Sequence, residues 1–193
     1  MTLSAPRPPL RLPPWQRAAS LGRLLALCAT VGWGAATGSA ALAQNAPYDT
    51  LQRLIQADQL PQALQQADSW LADHPKDPQA RFMKGVILSR QGRTDEAVTT
   101  FTELTRDYPE LPEPHNNLAV LHAAAGRLGH AREALETAIR LNPAYGVAHQ
   151  NLGDVYLRLA AQAYRTSLGL APDTPGLAQR LQRLEAIPAA TAP

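Results

Sequence analysis

The sequence is poor in the residues on which enzyme and metal sites most often depend. Its 193 residues include a single cysteine, Cys28, which excludes an intramolecular disulfide and a multi-cysteine zinc site. It contains no Gly-rich phosphate-binding loop, no His-Glu-x-x-His motif and no Gly-x-Ser-x-Gly motif. We therefore expect no enzymatic activity, no catalytic residue and no cofactor.

The N-terminal segment, residues 1–43, lacks acidic residues altogether but carries four arginines. The rest of the chain contains the remaining 14 Lys and Arg and all 16 Asp and Glu, so its net charge is about −2. The basic pI of 8.9 thus reflects the N-terminal segment. Nucleic-acid binding requires basic residues gathered on the folded domain, so no nucleic-acid partner is expected.

The same segment has the three parts of a secretory signal. A basic, proline-rich stretch from Arg7 to Arg23 precedes an apolar stretch from Leu24 to Trp33, and Ala41-Leu42-Ala43 has the small-x-small form of a cleavage site. Cleavage there would begin the mature chain at Gln44 and place it in the periplasm. Residues 1–43 are therefore predicted to be a secretory signal sequence.

Two alternatives to cleavage exist. Residues 24–43 are about long enough to span a bilayer, which would anchor the protein in the membrane, although their second half is only weakly hydrophobic. A lipoprotein signal at Cys28 is disfavoured because Leu27 stands where a small residue is expected. If cleavage occurs after Ala43, the mature chain has no thiol, which suits an oxidising compartment.

The remainder of the chain is an internal repeat with a period of 34 residues. Four sets of landmarks keep this spacing: Pro75, Pro109 and Pro143; Ala63, Ala97 and Ala131; Gly92 and Gly126; Gly85, Ala119 and Gly153. The spacing predicts helix–turn–helix units, because proline ends each unit and glycine permits a tight turn in its middle. Small residues on facing helices would let the two helices approach closely.

Capping chemistry predicts where two of these helices begin. Asp77 followed by Pro78 has the form of an N-cap with proline at the first helical position. Thr94, followed by Asp95 and Glu96, is a second predicted N-cap.

The stretch Gly85-(x6)-Gly92-(x4)-Ala97-(x3)-Phe101-(x7)-Pro109 resembles the tetratricopeptide repeat (TPR) pattern, as does the stretch from Leu118 to Pro143. The resemblance implies an all-α, TPR-type helix–turn–helix solenoid over residues 44–187. Its units would be 44–77, 78–111, 112–145 and a shortened fourth unit, 146–174. It also implies a protein or peptide partner, since binding proteins is the property that the family shares.

The first and fourth units depart from the pattern. In the first, Leu51 replaces the small residue and Trp70 stands where the family prefers alanine, which fits a degenerate repeat or an N-terminal cap. In the fourth, Pro172 follows Pro143 by 29 residues, and the missing five are the inter-helix turn. An apolar stripe continues through this gap, which predicts one unbroken helix over 147–170 that could serve as a contact or dimerisation element.

The C-terminal part is predicted to be a capping helix and a short tail. Thr174 is the predicted N-cap and Pro175 the first helical residue of a helix over 175–187, which would cover the last apolar face of the array. Residues 188–193 are predicted to be a disordered tail.

The inner, concave face of such an array is built by the first helix of each unit, and it is the predicted partner-binding site. Registering the units against the pattern places these residues there: Phe82, Met83, Val86 and Arg90; Glu113, Asn116, Asn117 and Val120; Gln150, Asn151, Asp154 and Arg158. The amides could hydrogen-bond the backbone of an extended peptide. Phe82 and Met83 could anchor it, or could instead fill the space between neighbouring first helices.

The histidine spacing suggests a metal site only weakly. His115 and His149 are one repeat apart on the same helix face, and His122 lies two turns beyond His115. A site needs three convergent ligands, so ordinary surface or inter-helix histidines are the favoured interpretation and no metal is expected.

The sequence thus predicts a non-catalytic protein–protein interaction module of the bacterial envelope. The alternative is an oligomerisation or assembly adaptor that uses the long helix of the fourth unit, with self-association as its property.

Overall fold

Short turns divide the chain into helices that follow one another in antiparallel pairs. The computed structural model describes residues 47–187, and the predicted signal sequence and C-terminal tail lie outside that range. Within it the helices are α1 (Tyr48–Gln56), α2 (Leu60–Asp73), α3 (Pro78–Arg90), α4 (Thr94–Asp107), α5 (Pro112–Ala124), α6 (Leu128–Leu141), α7 (Gly146–Leu170) and α8 (Leu177–Glu185). No strand occurs in the described range, so it is an all-helical solenoid, as the 34-residue period predicted.

The turn inside each of the first three units depends on one residue in the left-handed region of φ. Gly92 and Gly126 both have φ of 74°, a conformation that glycine adopts at little cost. In the first unit Asp58, 34 residues before Gly92, takes the same place with φ of 58°. Aspartate tolerates this conformation better than most side chains, so the first unit turns without a glycine.

The first unit is a helix pair like its neighbours. α1 contacts both α2 and α3, and Leu51 is fully buried between them in the core. Trp70 is half-buried, stacks on the His74 ring at 3.7 Å and donates from Nε1 to Asp77 Oδ2. The two departures from the pattern are thus accommodated inside an ordinary helix–turn–helix unit.

Of the N-caps predicted at Asp77 and Thr94, the first is confirmed and the second is wrong. Asp77 Oδ1 accepts from the backbone N–H groups of Gln79 and Ala80, and Pro78 is the first residue of α3. Thr94, in contrast, is the first residue of α4, and Arg93 precedes it without a side-chain cap bond. After the turn at Gly92 the helix begins at Thr94 itself, one residue earlier than the capping pattern predicts. The Thr94 hydroxyl instead lies 3.5 Å from the Gly92 carbonyl oxygen.

The close approach predicted at Gly85 is confirmed. A Cβ atom at this position would lie 2.6 Å from Cε1 of Phe101, so only glycine lets α3 and α4 pack this tightly. Ala97 and Ala119, on the facing helices of their units, are fully buried.

The same prediction is wrong for Gly153. Nothing lies within 4 Å of a Cβ placed on Gly153, and the residue is exposed. The reason is the missing turn of the fourth unit: α7 runs unbroken over Gly146–Leu170, as predicted, and no second helix folds back onto Gly153.

The C-terminal helix is shorter than the predicted range 175–187 and begins differently. Gly176, with φ of 72°, precedes the first helical residue Leu177, so Pro175 belongs to the turn. The Thr174 hydroxyl donates to the Ala171 carbonyl oxygen at the end of α7 and does not cap α8. α8 nevertheless packs on the second half of α7, with Leu177 buried.

The core is divided among the successive units. One buried cluster joins α1, α2 and α3, a second joins α3, α4 and α5, and a third joins α5, α6 and α7. The second and third helix pairs therefore contribute to two clusters each, as in repeat arrays whose stability comes from neighbour contacts. None of the helices within residues 47–187 combines the length and the apolar composition that a membrane span needs.

Candidate partner-binding surface

The first helices of the four units lie next to one another. α1 contacts α3, α3 contacts α5, and α5 contacts α7. The twelve positions from Phe82 to Arg158 named above, which the repeat register assigns to one side of these helices, are here called the first-helix face.

In the second unit this surface is largely closed by packing. Met83 is only 5% exposed and belongs to the core cluster of α1, α2 and α3. Phe82 is partly buried, with its ring 5.8 Å from that of Phe101, and Val86 packs with it at the edge of the cluster of α3, α4 and α5. Of the two predicted anchors, Met83 is thus a core residue, because α1 packs over it, and only Phe82 has accessible surface.

Arg90 holds the first unit to the second. Its Nη1 donates to the Ile55 carbonyl oxygen at 2.7 Å and its Nη2 donates to Asp58 Oδ1 at 3.0 Å. Both acceptors lie at the α1–α2 turn. The guanidinium therefore hydrogen-bonds a carbonyl group in the last turn of α1 and the side chain of Asp58. This internal role of Arg90 competes with its predicted contact to a partner.

In the third unit one of the predicted amides is buried and the other is partly exposed. Asn116 is 6% exposed, and its Oδ1 accepts from Nδ2 of Asn151 at 2.9 Å, which links α5 to α7. Asn117 is partly exposed and donates from Nδ2 to the Glu113 carbonyl oxygen within α5. Val120 is partly exposed as well.

A buried carboxyl also belongs to this part of α5. Glu113 is 6% exposed, and its charge acts on the hydroxyl of Tyr145. Burial, together with the charge of Glu113, raises the pKa of Tyr145 to about 12.

The most accessible part of the first-helix face is on α7. Gln150 and Arg158 are exposed and Asp154 is partly exposed. These side chains present an amide, a guanidinium and a carboxylate along two turns of one helix. This set can donate to and accept from the backbone of a bound peptide and can pair with charges of either sign.

The histidines do not form a metal site in the described residues. No group of three or more His, Cys, Asp or Glu converges there. His149 Nε2 lies 2.9 Å from the Pro143 carbonyl oxygen, to which it donates, and His122 Nδ1 accepts from Arg127 Nε at 3.1 Å. His115 is half-buried, and burial lowers its pKa.

The sequence interpretation missed the cluster around Asp77. Its Oδ2 accepts from the Tyr48 hydroxyl at 2.6 Å and from Trp70 Nε1 at 2.7 Å, while Oδ1 caps α3. Burial and the adjacent carboxylate raise the pKa of Tyr48. Trp70 carried the signal, because a large ring with a polar N–H at a position where the family prefers alanine needs a partner for that N–H.

Known families and structures match the repeat array. Two family models, both described as tetratricopeptide repeat, match residues 48–112 and 112–145, just over half of the chain. The first of these ranges includes the whole of α1 and α2, so the first unit is matched as well.

Curated relatives match part of this chain and are much longer proteins. The TPR repeat-containing thioredoxin TTL4 of Arabidopsis thaliana is 40% identical over 106 residues, which is 52% of this chain and 15% of that protein. The inactive TPR repeat-containing thioredoxin TTL3 of the same plant is 34% identical over 120 residues, 60% of this chain and 17% of that protein. The chain thus spans less than a fifth of the length of these relatives.

Solved structures agree on the fold. The MamA RS-1 ArsTM double mutant superposes with a TM-score of 0.54 at 21% identity, covering 71% of this chain and 80% of that one. TTC0263, a thermophilic TPR protein of Thermus thermophilus, gives a TM-score of 0.52 at 19% identity and covers 72% of this chain and 80% of its own.

Proposed function

Because the chain belongs to the tetratricopeptide repeat family, we propose that it is a non-catalytic module of the bacterial envelope that holds a protein or peptide partner on its first-helix face. TPR arrays are protein-interaction scaffolds, and this one is built of the same helix pairs. The proposal adds a compartment, a surface and the residues that make the contact.

The observation that carries the proposal is the run of first helices in mutual contact that ends on α7. This run supports the proposal because the neighbouring first helices of three units carry accessible side chains at the assigned positions, among them Phe82, Asn117 and Gln150. With Met83 and Asn116 in the core and Arg90 bonded to the α1–α2 turn, the proposed contact residues are Phe82, Val86, Asn117, Val120, Gln150, Asp154 and Arg158.

The chemistry of this face favours an extended peptide over a folded apolar patch. Gln150 offers two N–H donors and a carbonyl acceptor, and Arg158 offers a planar set of donors. Phe82 supplies apolar surface at the opposite end. Such a face holds the peptide backbone by hydrogen bonds along α7 and selects one apolar side chain near α3.

The proposed location rests on residues 1–43. Their four arginines, absent acidic residues and Ala41-Leu42-Ala43 site are what an exported chain carries at its start. Cleavage would release the array into the periplasm, and retention of residues 24–43 would tether the same array to the membrane.

Site-specific photo-crosslinking in cells tests the surface and the location together. A photoreactive residue replacing Asp154 on the first-helix face is expected to capture a partner that recurs between preparations. The same residue replacing Thr99, exposed on α4, serves as the matched control. Sequencing the N-terminus of the purified bait should give Gln44.

Substitution then separates specific binding from chance proximity. The double variant Gln150→Ala/Arg158→Glu should lose the crosslinked partner while its thermal unfolding stays within about 1 °C of the parent. Arg106→Glu, an exposed arginine on α4, should retain the partner. Equal capture by the two photoreactive positions, or by the two variants, would contradict the first-helix face as the binding surface.

A second candidate function is an assembly adaptor that works through α7. The observation that favours it is the unbroken course of α7 with Tyr156 and Leu170 exposed on it.

A further inference from the structure

The fourth unit has lost one specific segment, the turn between its two helices. When the unit is placed in register with the second, Leu159 stands for Gln91 and Ala160 stands for Ala97. The segment Gly92–Glu96 has no counterpart between them. The two helices of the unit are therefore joined directly and run on as the 25-residue α7.

The sequence of the second helix nevertheless survives in the second half of α7. Before Pro109, the core-facing positions of α4 are Ala97, Phe101 and Leu104, all fully buried. At the same distances before Pro172 stand Ala160, Tyr164 and Ser167. Residues 160–170 thus have the pattern of a helix that packs on a first helix.

They cannot pack on the first half of their own helix. Gly85 and Phe101 touch across the α3–α4 pair, but their counterparts Gly153 and Tyr164 are eleven residues apart on one straight helix. At a rise of 1.5 Å per residue, about 16 Å separates their positions along the axis. The contact that closes the second unit is therefore open in the fourth.

The open position is visible as exposed apolar surface. Nothing lies within 4 Å of a Cβ on Gly153, and Tyr156, the counterpart of the buried Leu88, is 48% exposed. Leu170 is 83% exposed. In the described range, the large hydrophobic residues that are exposed all fall in its C-terminal third: Leu141, Val147, Tyr156, Leu170 and Ile187.

α8 does not fill this position. It contacts the second half of α7, where Arg165 Nη2 donates to Glu185 Oε1 at 2.7 Å and Leu177 is buried. In a complete array the first helix of the next unit packs on the preceding second helix in the same way. α8 therefore packs against residues 160–170 and leaves Gly153 uncovered.

We propose that two copies of this chain form a reciprocally swapped dimer through α7. Residues 160–170 of each copy occupy the vacant second-helix position on residues 146–159 of the other, so the two α7 helices lie antiparallel. Tyr164 of one copy packs over Gly153 of the other, as Phe101 packs over Gly85. Tyr156 then lies against Ala160 and Tyr164 of the other copy, as Leu88 lies in one cluster with Ala97 and Phe101.

A second copy is the occupant with the matching pattern. The vacant position needs a large ring over Gly153, and Tyr164 of a second copy supplies that ring. A reciprocal exchange also gives the closed two-fold contact typical of homodimers. The interface continues the helix-pair packing that already stabilises the second and third units.

Restoring the missing turn is the first test. A copy of the segment Gly92–Glu96 is inserted between Leu159 and Ala160 of the full chain, and the mass in solution is measured by size-exclusion chromatography with light scattering. The parent should be a dimer and the insertion variant a monomer. The same five residues inserted after Ile187 are the control and should leave the dimer intact.

A cysteine pair tests the register even if the insertion variant fails to fold. In a Cys28→Ser chain, Gly153→Cys and Tyr164→Cys are too far apart within one helix for a disulfide, which needs Cα atoms less than about 7 Å apart. The double variant should therefore form a covalent dimer on mild oxidation. Arg158→Cys with Gly169→Cys has the same spacing on exposed positions but lies on the opposite face of α7, and it should stay monomeric on denaturing gels.

The outcomes are distinct. Dimer mass for the parent, monomer mass after insertion and a disulfide only for the 153/164 pair support the swapped dimer. A monomeric parent at high micromolar concentration, or equal crosslinking by the two cysteine pairs, would overturn it. None of these results depends on what the first-helix face binds.

Discussion

Asn151 donates from Nδ2 to Oδ1 of Asn116 across 2.9 Å, and this bond joins the first helices of the third and fourth units. Asn116 is almost fully buried, so its amide depends on that partner. The register placed both residues on the partner-binding surface. In the structure this pair instead fixes α7 against α5, next to the accessible Gln150 and Asp154.

The Asn116–Asn151 bond should contribute to stability. Asn151→Ala leaves the buried Asn116 carbonyl oxygen without its donor, which should lower the free energy of unfolding by about 1–3 kcal/mol. Urea denaturation followed by circular dichroism measures this as a lower midpoint at an unchanged m-value. Gln150→Ala, at the neighbouring exposed position, should change the free energy by less than about 0.5 kcal/mol. Equal midpoints for the two variants would mean that the bond is not formed in solution.

Gly85 should tolerate no side chain. Its added Cβ would meet the ring of Phe101, which is fully buried and has no free space to move into, so Gly85→Ala should destabilise the protein by about 1–3 kcal/mol. Gly129→Ala on α6, where nothing lies within 4 Å of the new Cβ, should be neutral or slightly stabilising. Adding Phe101→Leu to Gly85→Ala should recover part of the loss, and an additive double variant would rule out this contact as the cause.

The sequence predicted the fold well because each landmark acts locally. Pro109 ends a unit and Gly92 permits a turn wherever they occur, so a fixed spacing suffices to place helices without knowing their packing. The predicted helix over 147–170 is confirmed by α7, which begins one residue earlier. The N-cap assigned to Thr94 is wrong because it depended on a single residue near a turn, where one residue of displacement changes the cap.

The candidate surface was predicted less well because exposure depends on neighbours from other units. Met83 and Phe82 are adjacent in sequence, yet α1 covers the first and leaves part of the second accessible. Arg90 was expected at the surface, and its bonds to Ile55 and Asp58 cross from the second unit to the first. The shape of a packed interface is not encoded in a repeat register, which identifies the helix face but not what covers it.

Asp77 should be the most sensitive acidic residue of the first two units. Asp77→Ala removes the cap of α3 and the acceptor for Tyr48 and Trp70, so we expect a loss of about 2–4 kcal/mol from the cap together with the two unpaired donors. Asp77→Asn keeps a good capping oxygen but replaces Oδ2 by an N–H₂ group, which cannot accept from either ring. Its loss should lie between those of Asp77→Ala and the parent, measured by thermal and urea unfolding. A full loss for Asp77→Asn would show that the cap contributes little.

Acidification should destabilise the protein through His115. Its pKa is lowered, chiefly by burial and secondarily by the nearby Arg140, so the folded state binds the proton less readily than the unfolded chain, whose histidines titrate near pH 6.5. The stability that the neutral imidazole contributes is therefore fully present above about pH 6.5, and it is lost as the pH falls from there toward the folded-state pKa. Burial also lowers the pKa of His122, aided by Arg127 and His130, which adds a contribution of the same sign.

Unfolding midpoints in urea at pH 7.5 and pH 5.5 measure this dependence. The parent should unfold at a lower urea concentration at pH 5.5, and His115→Gln should reduce the difference between the two midpoints because it removes the titrating group. His149→Gln, at an exposed position on α7, is the matched control and should change the difference less. If His115→Gln and His149→Gln alter the pH dependence equally, the half-buried imidazole of His115 is not its source. The carboxyls of Glu96 and Asp107, whose pKa values are lowered by bonded arginines, act in a more acidic window, since unfolded carboxyls titrate near pH 4, and they leave this comparison unaffected.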